Sequence, residues 1–159
     1  MSKNILDACC GGRMMWCDKG DQRILAQDIR AEKVCFTDRE NRRTMFITPD
    51  VIGDFRKMRF ADNNFSLVMF DPPHLLRAGE SSWLFKKYGK LDAKEWEADL
   101  TAGFRECMRV LRPHGTLIFK WNSCQLSIDK VKRCFPCEPV FVSRTGKTYF
   151  YIFMKGDKQ

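Results

Sequence analysis

The chain has 159 residues, 44% hydrophobic and 30% charged, which suits a single soluble domain spanning 1–159 with a sizeable core. No apolar run approaches the length of a membrane span, so no membrane partner is expected. The net charge of +8 favours a polyanionic partner, nucleic acid above all, and eight cysteines without a secretory signal read as reduced thiols in a cytoplasmic protein.

Asn4 to Ala8 reads as a first strand, followed by the turn "CCGGR". Arg23 to Gln27 is a second strand that ends at Asp28. "VCFTDRENRRTMFI" reads as a hairpin with Asp38 to Arg42 as its polar tip. Phe65 to Phe70 is a short buried strand. "DAKEWEADLTAGFRECMRVL" carries Trp96, Leu100, Phe104, Met108 and Leu111 at helical spacing, with Asp92 as N-cap and Glu95 three residues on. "HGTLIFKW" is a strand and "SIDKVKRCF" a short helix, and "EPVFVS" with "KTYFYIFMK" closes the chain as an antiparallel pair around Arg144-Thr145-Gly146. Strands alternating with helices predict an α/β fold built on a mostly parallel sheet.

Three signals fall at the ends of predicted strands, where open α/β sheets bind ligands. In "ILDACCGG" a strand runs into Asp7 and a turn of small residues, whose backbone can approach a ligand closely. Asp28 ends the next strand about twenty residues on, where an acid can accept hydrogen bonds from ribose hydroxyls. Asp54-Phe55 pairs an acid with an aromatic, a combination that suits an adenine amino group and ring face. The fourth signal is "LVMFDPPHLL". Two prolines fix φ and cannot donate, so the Asp71 carboxylate and the Pro72 carbonyl stand at a strand end as two acceptors for an NH2 group. D-P-P alone fits a plain strand terminator equally well.

Together, "ILDACCGGR", "LAQDIR", "IGDFRKMRF", "FSLVMFDPPH" and "GTLIFKW" resemble the class I S-adenosylmethionine-dependent methyltransferases. D-P-P-H looks like the motif of their amino-methylating branch, which modifies exocyclic amines of nucleobases, adenine N6 among them. Over residues 3 to 155 the chain is similar to small stand-alone methyltransferases of phages and prophages. The resemblance implies a Rossmann-like seven-stranded sheet with its last strand antiparallel. It implies S-adenosylmethionine as cofactor, with Asp7, Ala8, Cys9 and Gly11 along the methionine part, Asp28 on the ribose, and Asp54 and Phe55 on the adenine. It implies Asp71, Pro72 and His74 as catalytic residues: two acceptors for the target amine, and a ring that stacks on a flipped base. Pro73 falls on the substrate side of the same motif.

Two departures from the family pattern bear on the site. Arg13 stands where the family often has a third glycine, a change expected to tighten or recharge the methionine pocket. No stretch is long enough for a separate target-recognition domain, which leaves RNA, single-stranded DNA, relaxed specificity, and a partner subunit or homodimer open.

Residues 77 to 90 interleave Lys86, Lys87 and Lys90 with Trp83, Phe85 and Tyr88, a composition suited to phosphate contacts and base stacking. The same residues also fit an amphipathic flap packed on the domain. Lys120 and Asn122 end the strand at "GTLIFKWN" and are expected to border the substrate cleft, while Trp121 suits cleft or core. "CFPC" has metal or redox spacing but no second pair, and no metal is expected. The leading function is methyl transfer from S-adenosylmethionine to an exocyclic nucleobase amine in DNA or RNA. The rivals are methylation of a protein amide or small-molecule amine, and a catalytically silent cofactor- or nucleic-acid-binding module.

Overall fold

In the computed structural model, residues 3–38 and 40–157 are described. The strands are β1 (Ile5–Asp7), β2 (Ile24–Asp28), β3 (Glu32–Asp38), β4 (Asn41–Ile47), β5 (Val51–Ile52), β6 (Phe65–Phe70), β7 (Leu111–Asn122), β8 (Phe141–Thr145) and β9 (Thr148–Met154). The helices are α1 (Trp83–Tyr88), α2 (Trp96–Val110) and α3 (Ile128–Val131). Seven strands form one sheet in the order β5-β2-β1-β6-β7-β9-β8, and β3 pairs with β4 as a separate ribbon. All neighbours in the large sheet run parallel except at β9, which is antiparallel to both β7 and β8. The predicted α/β class, the first ribbon and the closing hairpin are all present; Arg39, in the expected tip, lies outside the described residues.

Register explains the packing. Leu6, Val68, Leu117 and Phe153 lie side by side across four strands and are fully buried. The next row, Phe70, Phe119 and Tyr151, points to the same face. Helix α2 lays Leu100, Phe104, Cys107 and Met108 on these rows, as its predicted stripe requires. Close approach is possible because position 103 has no side chain: a Cβ there would stand 2.6 Å from Phe70 Cζ and 2.7 Å from Phe55 Cδ2. The carboxyl end of α2 is held by Lys155, 5% exposed, whose Nζ donates to the carbonyls of Met108 and Leu111 at 2.7 Å each. These are the carbonyls a helix end leaves unpaired.

Several expectations need adjusting. The N-cap of α2 is Glu95; Asp92 instead heads the preceding turn, its Oδ1 accepting from Lys94 N at 2.7 Å. Strand β5 has two residues and α1 six, and neither carries a readable period. α1 is set by its ends: Ser82 Oγ accepts from Phe85 N, and Gly89 terminates it at φ 68°. The segments 8–23 and 53–64, which connect parallel strands, contain turns and no helix. His114 adopts φ 60° as a turn residue, inside the irregular start of β7 where the register against β6 shifts.

Candidate active site

Because β1, β2, β6 and β7 run parallel, their carboxyl ends share one edge. A cavity of about 390 Å³ opens there. Asp7, Ala8, Cys9, Gly11, Asp28, Asp54, Phe55, Asp71, Pro72, Pro73, His74, Lys87, Tyr88 and Lys120 all line it. Three of the expected residues do not. Trp83 and Lys86 line a neighbouring groove, and Asn122 stays out because its amide donates to Thr148 Oγ1 at 3.1 Å and accepts from Cys124 N at 3.0 Å, tying down the hairpin. Trp121 is fully buried in the core, its Nε1 donating to the Leu126 carbonyl at 3.0 Å.

The glycine turn is built by backbone bonds to the strands beside it. Ala8 N donates to Met69 O at 2.9 Å and Cys10 N to Gln27 O at 2.8 Å. Gly11, at φ 46°, turns its N–H to Asp28 Oδ2 at 2.8 Å. Asp28 Oδ1 accepts from Arg30 N at 2.9 Å, so this 7%-exposed carboxylate links turn and strand and still faces the cavity. Arg13 does not enter the cavity, contrary to expectation. It supplies the left-handed backbone itself, at φ 53°, and sends its guanidinium away to Asp50 Oδ2 and the Thr48 and Lys19 carbonyls.

The carboxylates are unlike one another. Asp7 is 2% exposed, and burial pushes its pKa up to about 6 although Trp16 Nε1 donates to its Oδ2 at 2.6 Å. Asp54 is held below the ordinary carboxylate range by Arg56, which grips both its oxygens at 2.6 to 3.0 Å. Asp71 Oδ2 takes the Lys120 ammonium at 2.6 Å; burial raises its pKa and Lys120 opposes the rise. Among the described residues Asp71 Oδ1 and the Pro72 carbonyl accept no protein hydrogen bond, and both residues face the cavity. His74 is pushed down to about 4 by burial and by Lys120, so its ring is neutral at physiological pH. It lies 5.1 Å from the Tyr88 ring and edge-on to Trp121 at 6.4 Å.

One residue, Trp16, and one pairing, that of Lys120 with Asp71, escaped the sequence reading. Trp16 sits in a polar loop with no periodicity to mark it. Lys120 and Asp71 follow Phe119 and Phe70, which are register partners on adjacent strands, so the pairing is legible once the strand order is known.

No protein-family model and no curated protein sequence matches the chain. Solved structures do. A protein from Pyrococcus horikoshii is 14% identical and superimposes with a TM-score of 0.56 over 96% of this chain and 82% of its own. A SAM-dependent methyltransferase from Methanosarcina mazei is 12% identical, with a TM-score of 0.53 over 98% of this chain and 94% of its own. A third match, 14% identical with a TM-score of 0.52, covers all of this chain and 85% of the other; it comes from a Haloferax volcanii complex between the methyltransferase activator Trm112 and an assigned methyltransferase. The chain thus shares the fold of these structures, a seven-stranded, mostly parallel α/β sheet closed by an antiparallel hairpin.

Proposed function

We propose that the chain is an S-adenosylmethionine-dependent methyltransferase whose acceptor is an exocyclic amine of a nucleobase, adenine N6 first, in DNA or RNA. One observation carries the reading: a single cavity joins a carboxylate-lined end, at Asp7 and Asp28, to an end with two open acceptors, at Asp71 and Pro72. The first end suits a cationic, hydroxyl-rich ligand, with Phe55 available to a flat ring. The second suits a donor of two hydrogens. Small phage-type methyltransferases remain the resemblance on which the adenine assignment rests.

Bound S-adenosylmethionine supplies a methyl group already activated on a sulfonium. The chain's residues then have to place and charge the acceptor. Asp71 Oδ1 and the Pro72 carbonyl take the two amine hydrogens, which turns the nitrogen lone pair out of the ring plane and toward the donor. Burial raises the Asp71 pKa, which makes that carboxylate a better acceptor for the proton the amine loses, and Lys120 opposes the rise. Neutral His74 stacks on the base without repelling a cation beside it. Pro73, Tyr88 and Lys87 wall the acceptor side.

A partner belongs to the same proposal. The Haloferax volcanii structure holds a methyltransferase activator, and a partner subunit or a second copy would add to the recognition surface of this chain. Tritiated methyl transfer to single-stranded and duplex DNA and RNA, with peptides and free nucleosides alongside, tests the reading. Label in adenine N6 supports it, and label only in peptide or free nucleoside overturns the acceptor class.

A further inference from the structure

We infer that the groove between the β3–β4 ribbon and α1 is a second subsite, taking a phosphate and base of a single-stranded polynucleotide next to the nucleotide in the cavity. The inference rests on the reading of the cavity as a methylation site for a nucleobase amine.

The groove encloses about 350 Å³. Phe36, from the ribbon, is 8% exposed and stacks on Trp83 of α1, with centroids 6.4 Å apart and planes at 24°. Trp83 keeps 36% of its surface open. Arg42 and Lys86 line the same groove. Lys86 Nζ reaches only the Cys35 carbonyl, at 3.4 Å, and among the described residues no carboxylate pairs with either cation. Two cations facing one concavity, with no acid among the described residues that line it, form a ready phosphate site.

The groove is joined to the cavity by side chains that alternate ring and charge. Lys87 Nζ stands 6.0 Å from the Trp83 ring and 5.0 Å from the Tyr88 ring. Tyr88 lies 5.1 Å from His74, inside the cavity. Rings for bases, interleaved with cations for phosphates, form the track that single strands use. The local charge agrees: residues 30–47 and 77–90 hold nine lysines and arginines against four acids, so most of the chain's excess of +8 sits here. The ribbon, which lies between β2 and β5 in the chain, would thus supply substrate contacts from outside the main sheet.

Short fluorescein-labelled single strands of DNA and of RNA, and a DNA duplex, are titrated by anisotropy across a salt series. The single strands should bind more tightly than the duplex, and the tighter of the two names the sugar the groove prefers. Arg42→Gln with Lys86→Gln should flatten the slope of log affinity against log salt by about 1.4, two phosphate contacts at about 0.7 each for single strands. Trp83→Ala should weaken binding roughly tenfold, and Trp83→Phe, which keeps a ring on Phe36, should recover most of it. Arg133→Ala, an exposed cation outside the groove's lining, should change nothing. An unchanged slope in the folded double variant, or tighter binding of duplex, overturns the subsite. Calorimetry with S-adenosylmethionine separates the two readings. Groove-dependent strand binding without cofactor binding would defeat the methyl-transfer proposal alone, and cofactor binding with an unchanged slope would defeat the groove alone.

Discussion

Asp7 ends β1 with 2% of its surface exposed, and burial lifts its pKa from the ordinary 3.8 to about 6. A carboxyl whose folded pKa lies above its unfolded value holds its proton more tightly in the native state. Its contribution is therefore fully present below about pH 4 and is lost as pH rises through about 6. A displacement of about two units corresponds to about 3 kcal/mol at neutral pH. Asp7→Asn keeps the size and leaves an oxygen for Trp16 Nε1 while removing the charge. The variant should thus be more stable than the parent by about 2–3 kcal/mol near pH 8 and should converge with it near pH 4, read by urea unfolding. Parallel stability profiles for the two proteins would refute the reasoning. The ionised carboxylate is then a burden on the fold that a cationic ligand relieves. Parent affinity for S-adenosylmethionine should rise from about pH 5 to about pH 7, with proton release seen by calorimetry in buffers of different ionisation enthalpy, and Asp7→Asn should lose both effects.

Asp71→Asn should lower methyl transfer by about 10²-fold or more while cofactor affinity changes far less, on the scale of one preorganised contact to a transition state; full activity in folded protein would sink the mechanism. Lys120→Met removes the cation that lowers the Asp71 pKa, so the acid limb of kcat/KM should move to higher pH, and an unmoved limb would separate Asp71 ionisation from the rate. Gly103→Ala should destabilise by about 1–3 kcal/mol in chemical unfolding despite a better helix propensity, because its Cβ meets Phe70 and Phe55 below 3 Å.

Legibility followed the length over which a physical rule repeats. The stripe Leu100, Phe104, Met108 spans several turns of α2, and the apolar run of β6 fills a whole strand, so both were readable. The acids at strand ends were readable for a topological reason: parallel strands bring their carboxyl ends to one edge, which gathers Asp7, Asp28 and Asp71 without any contact being known. What escaped was decided across the sheet or by chain ends. The Asp71–Lys120 pair depends on β6 lying beside β7. The six-residue α1 depends on Ser82 and Gly89 at its ends, not on a period. Arg13 occupies a left-handed position that glycine usually takes, and nothing local announces that its side chain will reach Asp50 instead of the cavity. The basic and aromatic residues of 77–90 were visible as a composition, but their division between cavity and groove is set by a ribbon more than thirty residues upstream.

The electrostatics of the acceptor end also bear on the rival readings. A module that only binds has little use for a carboxylate–ammonium pair on a half-buried edge, since partly withdrawing two ions from water offsets much of their attraction. Asp71 and Lys120 are nonetheless placed there, at 2.6 Å, with one carboxylate oxygen left open to the cavity. The pair does two things that the proposed methylation of an amine would call for and that binding alone would not. It fixes the carboxylate's rotamer, and its cation opposes the rise that burial gives the carboxyl pKa. A protein amide would be served by the same two acceptors but would have little use for a neutral ring beside Tyr88 or for a cationic, aromatic track leading away from it. On the proposed reading, a flat base on a charged chain would use both the neutral ring of His74 beside Tyr88 and the cation of Lys87 next to it.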